Sequence, residues 1–263
     1  MNHPIPSAAQ FARHQLAGGC ETMERLLNGL LDSKGRIAEE VHAIRKLGKS
    51  LRGGFALFRL KEAAREIQVI GRLLAGPRDA ESRLKTWNLL VWNEEVKVAA
   101  AIVGLLDQQT HSAARRPPPE TIAWCLDRVA EAKRALAELP EENLDETVTG
   151  SLRKLAKQVR KRCLHLDHRA DEDFHDARKA LKAYLGASGF LPAGTVSIDP
   201  KMAEIAELLG DENDIATLSA WLETHGFTVK FAPSLWKLLK DKRRNLQKRV
   251  IGDAAVLFSG DAM

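Results

Sequence analysis

Apolar and polar positions do not alternate over the length of a strand in any stretch of the chain, and Ala, Leu, Glu, Lys and Arg dominate nearly every segment. That pattern predicts an all-α protein. Helices are expected over 6–31, 35–60, 62–75, 79–92, 94–110, 118–139, 144–166, 169–189, 199–209, 212–225 and 233–250. The breaks between them carry suitable punctuation. Asp32-Ser33-Lys34-Gly35 reads as a turn, Gly76-Pro77 as a stop, and Asp199-Pro200 as an N-cap followed by proline at the first helical position. The tract Arg115-Arg116-Pro117-Pro118-Pro119 reads as a linker, because consecutive prolines favour an extended path. It divides the chain into a first helical half over 8–112, a linker over 113–119, a second half over 120–250 and a tail over 251–263. Gly53-Gly54 interrupts a helical pattern, where a kink or a close helix contact is the plain explanation.

Composition narrows the class. At 263 residues, with 44% hydrophobic and 29% charged side chains, the chain has the balance of a soluble globular protein of one large or two small domains. The longest apolar run, Val98 to Leu106, is nine residues. A membrane-spanning helix needs about 20. The first residues, MNHPIPSAAQF, lack the charged and apolar regions of a signal peptide, and Cys20, Cys125 and Cys163 cannot build a disulfide framework. A reducing, cytoplasmic setting is therefore expected.

Forty Lys and Arg against 35 Asp and Glu give a net charge of +5, which by itself says little. Its distribution says more. Residues 34–61 hold eight basic side chains against Glu39 and Glu40, 151–182 hold ten against five acids, and 230–249 hold eight against Asp241 alone. The first two segments contain the same motif: His42-Ala43-Ile44-Arg45-Lys46-Leu47-Gly48-Lys49 and His175-Asp176-Ala177-Arg178-Lys179-Ala180-Leu181-Lys182 both spell H-x-x-R-K-x-x-K, 133 residues apart. Asp79 follows His42 by 37 residues and Asp214 follows His175 by 39. Two landmarks at matched spacing point to an internal duplication. On a helix these spacings put His42, Arg45, Lys46, Lys49 and Arg52 in one row, and His175, Arg178, Lys179 and Lys182 in another. Like charges in a row cost a helix a few tenths of a kcal/mol per pair. A bare basic row therefore reads as an anion-binding surface, with Lys and Arg as phosphate donors. Two further stripes follow helical spacing: Arg153, Lys157, Arg160 and Lys161, then Lys237, Lys240, Arg244 and Lys248. Aromatic residues make up only 5% of the chain, and Trp87, Trp92, Trp124, Trp221 and Trp236 fall in helical patterns as core candidates. Without stacking aromatics a nucleic-acid partner is disfavoured, and phosphate without bases fits better.

The paired motif helices, Gly76-Pro77-Arg78-Asp79 after the first and the basic Leu152-Arg153-Lys154 before the second resemble the conserved-histidine α-helical domain family, CHAD, over about residues 8–250. The resemblance implies an internally duplicated pair of helical bundles related by pseudo-two-fold symmetry, with the motif helices facing a basic groove. It implies non-catalytic binding of inorganic polyphosphate, association with polyphosphate-metabolising proteins, and a place at cytoplasmic polyphosphate granules. Neither cofactor nor metal is implied. The binding residues carried over are the two rows, with the two stripes as additional candidates. In the second copy Leu185 stands where the first has Arg52, and Glu212-Asn213-Asp214 replaces the Arg-Asp landmark.

Other chemistry was weighed. Residues 43–50 nearly match a phosphate-binding loop but lack its first glycine and a preceding strand. Cys163, His165 and His168, followed by Asp171 and Asp173, do not have a closed zinc spacing, and basic neighbours oppose a cation. Asp79 and Asp214 are expected at helix starts, as caps or partners of a basic residue. No nucleophile, metalloprotease or carboxylate-cluster signature occurs. The rival readings are an enzyme acting on polyphosphate or phosphate esters through His42 or His175, and a nucleic-acid-binding protein.

Overall fold

The computed structural model describes residues 7–32, 37–91, 98–113 and 116–259. Among them are ten α-helices and no strand: α1 (Ala8–Asp32), α2 (Ile37–Leu57), α3 (Lys61–Leu73), α4 (Ala75–Val91), α5 (Ala99–Ala113), α6 (Pro119–Ala137), α7 (Leu144–Leu164), α8 (Asp171–Ser188), α9 (Pro200–Thr224) and α10 (Pro233–Phe258). The expected all-α class holds. The turn at residues 33–35, Trp92, linker residues 114–115 and the last four residues of the tail lie outside the described residues.

Three local expectations are corrected. No break separates 199–209 from 212–225, because α9 runs straight through Gly210. A single glycine costs a helix only about 1 kcal/mol, and burial of Leu208, Leu209, Glu212 and Ile215 along one side outweighs it. Asp214 consequently lies in mid-helix rather than at a start, and Asp79 lies inside α4. The segment expected as tail continues α10 to Phe258, since Ala254 and Phe258 are buried.

The chain forms two compact units. One comprises Met1–Ala75, Arg116–Val159 and Ala180–Asp199; the other comprises Gly76–Arg115, Arg160–Lys179 and Pro200–Met263. Each unit takes chain from both sides of the proline tract, so the limits 8–112 and 120–250 are not the limits of these units. The tract itself is extended at Pro118 (φ −56°, ψ 145°) and starts α6 at Pro119.

In the first unit α1, α2, α3 and α6 pack in a ring, α1 and α3 each touching both α2 and α6. Leu16, Met23, Leu27, Ile44, Leu51, Phe55, Ile67, Ile70, Ile122 and Val129 fill its centre. Each such side chain contributes about 1.5–3 kcal/mol by leaving water. Lys133 of α6 adds a 3.0 Å ion pair to Glu24 of α1. The second unit is built on α9 against α10. Its core gathers Trp87, Ile102, Leu106, Leu218, Trp221, Leu235 and Leu239. Trp87 and Trp221 are thus core, as expected. Trp124 is not: it is 39% exposed, and the Arg128 guanidinium lies 5.0 Å over its ring.

Two backbone features of the first unit bear on the site. At Gly53 of α2 a Cβ would stand 2.6 Å from the Ala187 amide nitrogen and 2.8 Å from the Ala183 carbonyl oxygen of α8. The interruption at Gly53 is therefore a close helix contact. At the end of α2 the Leu60 amide donates to the Phe55 carbonyl and the Arg59 amide to that of Ala56, at 3.1 and 3.2 Å. This is a Schellman closure, whose left-handed residue is commonly Gly. Here it is Arg59, at φ 58°.

Gly53→Ala is expected to destabilise the protein by about 1–3 kcal/mol, because backbone atoms cannot yield as a side chain would. A urea melt matching wild type would show that α8 can slide away freely. Alkaline behaviour follows from the buried cysteines. Burial pushes the Cys20 and Cys163 thiols up to about 12, and Cys125 to about 11, from an ordinary 9.0. Folded-state values above the unfolded ones give a contribution fully present below pH 9 and lost as pH rises towards 12. Native protein at pH 8 should accordingly resist iodoacetamide while urea-unfolded protein labels at all three positions. Rapid labelling of the native form would contradict this.

Candidate functional site

The buried side of α2 is set by Val41, Ile44, Gly48, Leu51 and Phe55. Three- and four-residue spacing leaves His42, Lys46, Lys49 and Arg52 on the other side, all exposed, with Arg45 half-buried at its edge. Arg45 Nη1 donates to the Ala75 carbonyl at 3.2 Å, so this residue also ties α2 to the start of α4. Glu39 and Glu40 sit in the first turn of α2, where they complement the helix dipole. Residues 43–50, the near-match to a phosphate loop, are helical throughout.

The second row is differently dressed. Phe174, Ala177 and Leu181 bury one side of α8, leaving His175 and Lys179 exposed and Arg178 and Lys182 half-buried. His175 Nδ1 donates to Asn213 Oδ1 at 3.1 Å. Lys179 Nζ is 3.5 Å from Asp176, whose other oxygen is 3.3 Å from Arg162. Desolvation lowers the Arg178 pKa, opposed by the charges of Asp214 and Glu212. Its Nε is buried without a hydrogen-bond partner.

Glu212, Asn213 and Asp214 are consecutive residues of α9 serving different partners. Glu212 is only 2% exposed. It accepts hydrogen bonds from Arg243 Nε at 2.6 Å and Gln247 Nε2 at 3.0 Å, and Arg243 also reaches Asp171 at 2.8 Å. Asn213 holds His175, and Asp214 acts on Arg178 by its charge. The Glu212-Asn213-Asp214 segment thus flanks the second row, with Asp214 acting on Arg178 through its charge and not as a helix cap.

The stripes divide similarly. Arg153, Lys157 and Lys161 are exposed along α7, whereas Arg160 is half-buried and donates from Nε to the Phe258 carbonyl at 3.1 Å. Arg160 therefore caps the end of α10. Lys237, Lys240, Arg244 and Lys248 are all exposed on α10, and the first three line a cavity of about 570 Å³ together with His168 and Asp171. Cys163 is buried, and His165 Nδ1 lies 2.7 Å from the Lys161 carbonyl.

Helical spacing did not reveal a second cavity, of about 700 Å³, in the first unit. Arg52 lines it with Arg59, Lys61, Arg65 and Lys154, residues of α2, its closing turn, α3 and α7. No single-helix rule connects them. A signal for the α2–α8 crossing was available: Gly186 follows His175 by eleven residues, as Gly53 follows His42. A Cβ on Gly186 would stand 3.3 Å from Ser50 Cα, so the two motif helices meet at positions the same distance past their histidines.

A family model described as the CHAD domain matches residues 8–223. Among solved structures, the chain is similar to the CHAD domain from the plant Ricinus communis, at 17% identity and a TM-score of 0.65, covering 95% of this chain and 92% of that one. It is also similar to PptA from Streptomyces chartreusis, at 16% identity and a TM-score of 0.61, covering 97% and 98% respectively. At these identities the structural likeness concerns the fold. No curated protein matches the chain.

Removing the buried support should be costly. Glu212→Ala strands Arg243 in a half-buried position with Asp171 alone, and a loss of about 3–5 kcal/mol is expected. A denaturation midpoint unchanged from wild type would mean that Asp171 and solvent suffice to hold Arg243.

Proposed function

Since the chain belongs to the CHAD-domain family, we propose that it binds inorganic polyphosphate without cleaving it, through the lysines and arginines of its two H-x-x-R-K-x-x-K helices. The observation that carries this reading is the first row. Lys46, Lys49 and Arg52 are exposed on one side of α2 with His42, and none of the positions in that row is acidic. Phosphate oxygens would accept charge-assisted hydrogen bonds there, each about twice as strong as a neutral one. Displaced counterions would supply the remaining free energy. The chemistry asked of the protein is recognition alone. Hydrolysis of a phosphoanhydride would call for a placed base or a metal held by carboxylates; the row holds no carboxylate, and His42 is its one candidate base. Polyphosphate-metabolising proteins at cytoplasmic granules are the partners that fit this role. Among the described residues no helix is long and apolar enough to cross a membrane.

The two rows should contribute unequally. Lys179 is already engaged by Asp176 and Arg178 by the Glu212 and Asp214 charges, and Leu185 replaces a cation. Arg45 and Arg178 hold structural contacts, so charge reversal is better placed elsewhere. Wild-type protein without added metal should retain long-chain polyphosphate and leave its length unchanged on a gel. Lys46→Glu with Lys49→Glu should weaken retention more than Lys179→Glu with Lys182→Glu. Each lost phosphate contact should flatten the salt dependence of log K by about 0.7 if single-strand polyelectrolyte behaviour holds. Metal-dependent shortening of the chain would favour an enzyme instead. DNA competing equally at one salt concentration would favour a nucleic-acid binder.

A further inference from the structure

The cavity of about 700 Å³ in the first unit is walled by five cations, and no carboxylate lines it. Arg65 is ion-paired with Glu62 at 3.0 Å on the exposed side of α3. Arg52 is pressed further: partial burial, and then the neighbouring Arg72, lower its pKa. Such crowding opposes folding unless an anion relieves it.

A second observation concerns Arg59. It fills the left-handed position of the Schellman closure with φ 58°, where glycine would be unstrained. Its Nη2 lies 3.6 Å from where a Cβ on Gly150 would stand, so the guanidinium lies over the bare backbone of α7. Glycine is the usual residue at such a position, and a long charged side chain is an uncommon one. Backbone strain at a residue whose charged end lines a cavity is the signature of a binding group held in place. The wall is also peculiar to the first copy. The residues 133 positions after Arg52, Arg59, Lys61 and Arg65 are Leu185, Pro192, Gly194 and Ile198, all uncharged.

The geometry points to this cavity as a separate site for a compact phosphoanhydride, of which tripolyphosphate is the model, lying beyond the Arg52 end of the first row. The occupant is bare phosphate rather than a nucleotide, because no aromatic ring lines the cavity to stack a base. Gln68, Gln158 and Ser151 supply neutral donors among the cations. A polyanion carried by the row would reach this site with its last residues, and a short chain would fill it alone. The inference extends the polyphosphate reading.

The test titrates full-length protein calorimetrically with tripolyphosphate and, separately, with ATP. Arg59→Gly should weaken tripolyphosphate roughly tenfold, the value of one charge-assisted contact. Its melting temperature should equal or exceed that of wild type, because glycine relieves the turn. Lys154→Glu, on the exposed side of α7, should weaken tripolyphosphate at least as much. Unchanged tripolyphosphate affinity in both variants overturns the inference. So does ATP binding more tightly than tripolyphosphate and being lost in the same variants, since the site would then read a base. Wild-type protein that takes tripolyphosphate here yet retains no long chain would overturn the polyphosphate reading of the rows and leave this site standing.

Discussion

The contact on which the described architecture turns is backbone against backbone: Gly53 of α2 meeting Ala183 and Ala187 of α8. Any side chain at 53 would collide with main-chain atoms, which have no rotamer to change. The approach fixes the rotation of α2 about its own axis. With Gly53 and Gly54 buried, Arg52 and Lys49 are left outward. The exposed basic face of this helix is therefore what remains after its packing face has been satisfied. Placing the second glycine, Gly186, at the same distance from its histidine brings the two motif helices together through equivalent residues.

Charge then separates rows that look alike as strings of letters. Along α2 the nearest acids, Glu39 and Glu40, are confined to the first turn, where the dipole favours them. Along α8 an acid sits beside the row as Asp176, 3.5 Å from Lys179, while α9 brings Asn213 onto His175 and the charges of Asp214 and Glu212 onto Arg178. The Arg178 guanidinium is half-buried with its Nε unpaired, whereas Lys46 and Lys49 are exposed.

The fold class, most helix limits and the faces of both motif helices were legible because composition and 3.6-residue spacing are local properties. The continuity of α9 was not, since Gly210-Asp211-Glu212-Asn213-Asp214 is locally a turn and becomes helix only when Glu212 finds Arg243 and Gln247 on α10. The compact units were not legible either. Prolines mark where the backbone must extend, but packing decides which segments share a core, and α7 and α8 each supply residues to both units. Arg160 shows the limit of stripe reading: it has the spacing of a surface cation and is spent on the Phe258 carbonyl. Gly53 carried its meaning in the sequence only as an interruption, and its partner Gly186 stood unread at the matching offset.

A row and a cavity make different demands on a chain. A row needs only that unfavourable neighbours share a helix face, a cost of tenths of a kcal/mol per pair that exposure to water keeps small. The cavity draws Arg52, Arg59, Lys61, Arg65 and Lys154 from separate elements. Its charges are held together by the tertiary fold, and Arg59 adds a backbone penalty of about 1–2 kcal/mol that a glycine would not incur. Arg52 belongs to both arrangements, the last cation of the row and the first of the cavity, whereas Leu185 at the corresponding offset on α8 is uncharged. The two motif helices share one pattern of letters, and Arg52, where the other helix has Leu185, is the residue at which the row of α2 runs into the cavity.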